Sequence, residues 1–110
     1  MSADAVERAD TSTSIMCSLT PEALKSGRAG LLPGLRERAT NVVPTAHGYQ
    51  LFFDASSDVL MAITRTIDAE RQCCRWLRFE LAVWPDGGPI ELTLSGPEGA
   101  REFLAALFEQ

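Results

Sequence analysis

The chain has 110 residues, the length of one domain, and its 45% hydrophobic and 23% charged content is typical of a globular protein. Ten basic and fifteen acidic side chains give a net charge of -5, which argues against nucleic acid as the partner, because such binding relies on clustered Lys and Arg. No apolar run approaches the roughly 20 residues of a membrane span, and the acidic N-terminal stretch lacks the apolar core of a secretory signal. We therefore predict a cytoplasmic protein that binds neither nucleic acid nor membrane.

The first part of the chain is a polar stretch. Residues 1–12 are polar and without a repeating pattern, so we predict a disordered tail there. Residues 13–110 carry periodic apolar patterns and are expected to form a single α+β domain. Within this domain residues 13–19 alternate between polar and apolar, which predicts a strand with Cys17 on the apolar face.

A helix is predicted next. Thr20 and Pro21 form a helix start signal, and Pro33 predicts a kink or break. The apolar residues of this helix are Leu24, Leu31, Leu32 and Leu35. Residues 49–53 then predict a second strand, after a turn around His47 and Gly48.

The second helix carries the most informative pattern. Ser56 lies where an N-cap residue is expected. The inward stripe of the helix runs at alternating spacings of three and four residues, through Leu60, Ile63, Ile67, Glu70 and Cys74. Glu70 therefore falls on the face that looks inward. A carboxylate that is buried there needs a partner, because burying an unpaired charge is costly.

After Cys74 the apolar period changes to two. Residues 78–84 and 90–94 predict two strands that form a hairpin, and a last helix is predicted to start near Gly96. The predicted order of elements is β-α-β-α-β-β-α. The alternation indicates a four-stranded antiparallel or mixed sheet that is covered by helices on one face.

Three cysteines carry the candidate chemistry: Cys17, Cys73 and Cys74. An odd number of cysteines in a chain expected to be cytoplasmic argues against a disulfide framework and for thiols or a metal site. The Cα atoms of adjacent residues lie about 3.8 Å apart, below the usual range of about 4.4–6.8 Å for a disulfide. We expect the adjacent pair to be reduced and accessible, with the Cys17 sulfur within about 4–7 Å of one sulfur of the pair, a span that one bound ion closes.

Thiolate ligands select soft ions. Structural zinc takes four ligands, so a set of three thiolates favours mercury, As(III) or Cu(I) ahead of zinc, and we expect no organic cofactor. His47, the single histidine, is a candidate extra ligand. Glu70 and Arg71 are predicted to lie around the ligands, where Glu70 orients a thiol or takes its proton.

Two other functions remain open. One is a thiol-dependent enzyme that acts on an organometal or a reactive small molecule, with Glu70 exchanging a proton. The other is a non-catalytic interaction module, with Trp76 and Trp84 as anchors, and a homodimer is left open as well. The cysteine pattern favours a metal-binding protein over an enzyme.

The stretch from Asp68 to Leu81 resembles a small, largely uncharacterised bacterial family with a Glu-Arg-x-Cys-Cys core. The likeness continues through residues 88–90, 94–99 and 102–104 and includes residues 17–20, so it covers nearly everything after the tail. Trp76 stands where the family often carries Phe, and the chain lacks a helix-turn-helix portion. Such domains resemble those near, or fused to, mercury and heavy-metal resistance regulators. The resemblance favours a soft-metal site but implies no reaction, and we expect sequestration, transfer or sensing of the ion.

Overall fold

A computed structural model describes residues 31–109 as three helices and a four-stranded sheet. The helices are α1 (Leu31–Arg38), α2 (Ser57–Cys73) and α3 (Ala100–Phe108), and the strands are β1 (Asn41–Thr45), β2 (Gly48–Phe53), β3 (Arg78–Val83) and β4 (Ile90–Ser95). The predicted tail and the predicted strand with Cys17 lie outside the described residues. The α+β class and the four-stranded sheet are confirmed, and the described order is α-β-β-α-β-β-α.

The sheet is antiparallel throughout, with the strand order β1-β2-β4-β3. Strands β2 and β4 therefore occupy the centre, and β1 and β3 are the edges of the described sheet. Leu92 of the central strand β4 lies opposite Leu51 on one side and Leu81 on the other. Because residues that lie opposite each other share a face, these three leucines define the apolar face of the sheet.

The helices pack on this apolar face and form the core with it. The core contains Leu51, Phe53, Ile90, Leu92 and Leu94 of the sheet, and Leu32, Leu35, Ile63, Leu104 and Leu107 of the helices. The other face of the sheet is polar: the Gln50 side chain donates a hydrogen bond to Glu91 at 3.3 Å, and Arg78 pairs with Glu80 at 2.9 Å. The prediction of helices on one face is confirmed.

Strand β1 was not predicted from the sequence. It contains Pro44 and buries no residue fully, so it lacks the apolar alternation of an ordinary strand. Proline is tolerated on an edge strand, where its missing N–H does not interrupt the sheet. The helix α1 is continuous from Leu31 to Arg38 and the residues before it lie outside the described part of the chain, so the kink or break near Pro33 stays a prediction. Pro33 lies in the first turn of α1, where a backbone N–H has no partner within the helix.

The ends of α2 are set by local hydrogen bonds. The Ser56 side chain accepts a hydrogen bond from the Val59 N–H at 3.0 Å, which confirms the predicted N-cap. At the other end the Cys74 N–H donates to the Glu70 carbonyl at 2.7 Å, while the Cys74 backbone leaves the helical region with φ -107 and ψ 79. The helix therefore ends between the two adjacent cysteines.

The last helix begins later than predicted. Its N-cap is Gly99, which has a φ of 97, a left-handed conformation that glycine adopts without steric cost. Residues 96–98 therefore form the approach to α3 and not its first turn. None of the helices among residues 31–109 has the length and the apolar content that crossing a bilayer requires.

Candidate functional site

The C-terminal end of α2 brings a carboxylate and two sulfurs together. Glu70, Cys73 and Cys74 are spaced at i, i+3 and i+4, and such positions lie on one face of a helix. All three are buried, with 2% of Glu70, 4% of Cys73 and none of Cys74 exposed. The prediction that Glu70 turns inward is confirmed.

One carboxylate oxygen faces both sulfurs. Glu70 Oε1 lies 3.8 Å from Cys73 Sγ and 3.6 Å from Cys74 Sγ. The ligand atoms of the three residues all lie within 4.8 Å of one another, and they form the one such group of His, Cys, Asp or Glu side chains among residues 31–109. The arrangement thus brings two sulfurs and one carboxylate oxygen together at a single buried point.

The two cysteines differ in chemical state. Cys74 is disulfide-bonded. Cys73 keeps its thiol, which also lies 3.5 Å from the Ala69 carbonyl oxygen. A disulfide sulfur carries no proton, so the approach of Cys74 to Glu70 is a van der Waals contact in this form. It becomes a hydrogen bond when the Cys74 thiol is restored.

Two expectations about the pair are therefore corrected. The pair was expected to be fully reduced, whereas Cys74 is in a disulfide. It was also expected to be accessible, whereas both side chains are buried. Adjacent side chains diverge by about 100° only while the helix continues. Because the backbone leaves the helix at Cys74, that side chain turns back under the same face as Cys73.

The segment after the pair is held in place by packing. The Leu77 N–H donates to the Cys74 carbonyl at 3.1 Å, which closes a turn. The Trp76 ring packs edge-to-face on Phe103 with ring centroids 5.3 Å apart. A Cβ added at Gly96 would lie 2.7 Å from the Trp76 ring, so only glycine allows this close approach. These contacts surround the chain immediately after the two sulfurs.

The other residues predicted for the site are not gathered there by the described structure. Arg71 lies on the solvent side of α2, where its guanidinium pairs with Asp68 at 3.0 Å and both side chains are 63% exposed. His47 lies in the exposed turn between β1 and β2 and does not belong to the group of Glu70 and the cysteines. Cys17 lies outside the described residues, so its convergence on the pair stays a prediction.

The burial of Cys73 beside Cys74 was not predicted from the sequence. A signal for it was present, because Cys73 follows Glu70 by three residues and a helical residue shares its face with both i+3 and i+4. The stripe also omitted Thr66, which is buried and whose hydroxyl donates to the Ala62 carbonyl at 2.8 Å. This internal hydrogen bond lets a polar residue lie on the apolar face of α2.

Comparison with known proteins gives no relative: no family model, curated protein or solved structure matches the chain. The resemblance to the Glu-Arg-x-Cys-Cys family therefore remains an expectation. The function has to be argued from the geometry at the end of α2.

Proposed function

We propose that the reduced protein binds a soft heavy-metal ion or metalloid through the thiolates of Cys73 and Cys74. The observation that carries this proposal is the buried Glu70 oxygen at 3.8 and 3.6 Å from the two sulfurs. A core that needed only apolar packing would place a methyl-bearing side chain there, because a buried carboxylate costs desolvation free energy. The physiological outcome would be sequestration, transfer or sensing of the ion.

The spacing of the sulfurs suits a single ion. Two thiolates bound at about 2.3 Å to one ion lie at most about 4.6 Å apart, when the arrangement is linear. The described ligand atoms lie within 4.8 Å of one another, so small side-chain shifts close the site. Sulfur ligands select soft ions such as mercury, As(III) and Cu(I) over harder ones, and zinc would lack its usual fourth ligand.

Glu70 would act beside the ion as a proton acceptor. Thiols must lose their protons to become metal ligands, and these protons need a destination inside a buried site. A carboxylate that contacts both sulfurs can take up one of the two protons. The set of two thiolates, one divalent ion and one protonated Glu70 is then electrically neutral. Neutrality matters here because an uncompensated charge in a buried site is expensive.

Cys17 would supply a third thiolate in the full proposal. Cys17, Cys73 and Cys74 together suit a trigonal ion, as the three-cysteine pattern of the sequence predicts. We leave Arg71 and His47 out of the site, since Arg71 pairs with Asp68 at the surface and His47 lies in an exposed turn.

The disulfide at Cys74 makes ion binding conditional on reduction. A disulfide sulfur has no thiolate to offer, so the oxidised protein would keep only Cys73 of the pair as a ligand. The proposal therefore assigns the protein to the cytoplasm, where thiols are held reduced. Binding would be strong under reducing conditions and would be lost on oxidation.

The proposal is tested by removing one sulfur at a time. We expect Cys73→Ser and Cys74→Ser each to weaken binding of Hg²⁺ or As(III) more than the roughly 10–100-fold loss that changes around the ligands produce. Competition titrations of the reduced chain measure this loss. Ser57→Ala, at the exposed start of α2, is the control and leaves affinity unchanged. Equal affinity in all four proteins would refute the proposal.

A thiol-dependent enzyme is the second candidate, and the disulfide at Cys74 favours it. A sulfur that can bond to another sulfur is what a dithiol needs to reduce a substrate disulfide. In that reaction two protein thiols become one disulfide and the substrate leaves as two thiols. An organometal is the other substrate class, with Glu70 exchanging the proton. Turnover without a retained ion separates this candidate from a stable one-to-one complex.

A further inference from the structure

The edge strand β3 and the residue that follows it expose apolar side chains. Leu81 is 38% exposed, Val83 57% and Trp84 53%, and they account for three of the five large exposed hydrophobics among residues 31–109. Leu81 and Val83 belong to the apolar face of the sheet, since they lie opposite the buried Leu92 and Ile90. Apolar residues on a strand that is an edge of the sheet, as β3 is among residues 31–109, are a recurrent site of strand addition.

In β3 the backbone N–H and C=O groups that face away from β4 belong to the odd-numbered residues. The Trp84 N–H donates to the Pro89 carbonyl, so the even-numbered residues of this strand point their backbone groups toward β4. In an antiparallel ladder the alternate residues point theirs the opposite way. The N–H and C=O groups of Phe79, Leu81 and Val83 therefore point away from the described sheet.

One register lets two copies of β3 pair through these groups without a charge conflict. A two-fold axis at Leu81 places Leu81 opposite Leu81 and Phe79 opposite Val83 on the apolar face. On the polar face it places Arg78 opposite Trp84, which suits a cation–π contact. Moving the axis to residue 80 would place two Glu80 carboxylates directly opposite each other, which is destabilising.

We propose that β3 is a self-association edge, through which two copies of this chain join their sheets into one antiparallel sheet of eight described strands. The occupant is a second copy because the edge complements itself in the Leu81-centred register. Pairing gives the outward backbone groups of Phe79, Leu81 and Val83 their partners and shields the apolar side chains of both copies. One strand per copy gives a small contact, so the dimer dissociates on dilution.

The test measures the mass of the full chain in reducing buffer, which prevents disulfides between chains, by sedimentation or light scattering over a wide concentration range. We expect the wild type to shift from one to two chain masses as the concentration rises. Leu81→Lys and Leu81→Glu should each raise the dissociation constant by about tenfold or more, because like charges then meet at the axis. A mixture of the two variants should dimerise again, because opposite charges then meet.

Two further variants keep the test independent of folding defects. Val83→Pro removes an outward N–H without affecting the ladder to β4, and an edge strand accepts proline there. It should remain a monomer with an unchanged circular dichroism spectrum. Met61→Lys, at an equally exposed apolar residue on α2, should dimerise like the wild type. The proposal is overturned by a wild type of single-chain mass at every concentration, by Val83→Pro dimerising normally, or by Met61→Lys abolishing the dimer. This result is independent of ion binding.

Discussion

The end of α2 and the strand β3 are close in sequence, and each shows an unusual pattern of burial. The end of α2 buries a polar group, whereas β3 exposes apolar ones. At the end of α2 a carboxylate is buried against two sulfurs. In β3, which begins four positions after Cys74, leucine and valine side chains of the apolar face are left in contact with solvent. The central strand β4 lies beside β3 and buries Ile90, Leu92 and Leu94 on the same face.

These two departures from ordinary burial indicate where in the chain to look for function. Buried apolar and exposed polar residues are ordinary and carry little information, whereas a buried carboxylate or an exposed apolar strand is informative. The two proposals start from these two features: an ion is proposed at the sulfurs beside Glu70, and a second chain is proposed at the exposed edge of β3.

The largest effect is expected from Leu92 and its neighbour Leu81, which lie directly opposite each other on the same face. Leu92 is fully buried, so Leu92→Ala should lower the free energy of unfolding by about 2–5 kcal/mol. Leu81→Ala removes the same atoms from a partly exposed site and should cost distinctly less. Denaturant unfolding at low protein concentration, where the chain is monomeric, measures both. Equal losses would show that β3 is as well covered as β4 and would remove the contrast between them.

A smaller effect is expected from Glu70. Glu70→Gln keeps the shape of the side chain but removes the proton acceptor, and should weaken soft-ion affinity by about 10–100-fold. That loss corresponds to about 1.4–2.7 kcal/mol of binding free energy. The matched control is the adjacent Arg71→Gln, which removes an exposed charge paired with Asp68 and should leave affinity unchanged. If Arg71→Gln weakened binding as much as Glu70→Gln, general electrostatics and not the buried contact would explain the effect.

Much of the described fold could be predicted from the sequence, because apolar periodicity reports burial. Periodicity predicts the inward face of Ile63 and Glu70 and the hairpin of β3 and β4. The residue type of Ser56, just before the periodic stretch, predicts the N-cap. Strand β1 could not be predicted, because an edge strand that contains Pro44 shows no apolar alternation. The exposure of Leu81 could not be predicted either, since alternation assigns a face but not the position of a strand within the sheet.

The candidate site was predictable in part. Helical spacing predicted the inward carboxylate at Glu70 and its approach to Cys74. The same spacing carried a signal for the burial of Cys73, at i+3 from Glu70, whereas the burial of both adjacent cysteines on one face depends on where the helix ends. The position of Arg71 at the surface was not predicted either. Its guanidinium pairs there with Asp68, a partner of opposite charge at i, i+3, and does not turn toward the site.

Soft-ion binding by the reduced cysteine pair can be measured by native mass spectrometry of the full chain after titration with Hg²⁺, As(III), Cu(I) and Zn²⁺, once on reduced and once on oxidised protein. We expect each reduced chain to retain one soft ion. Retention should be lost after oxidation and in a Cys73→Ser/Cys74→Ser double variant, and zinc should be held more weakly. Soft-ion binding through Cys73 and Cys74 is refuted if the oxidised protein or the double variant keeps the ion, or if the reduced protein retains none.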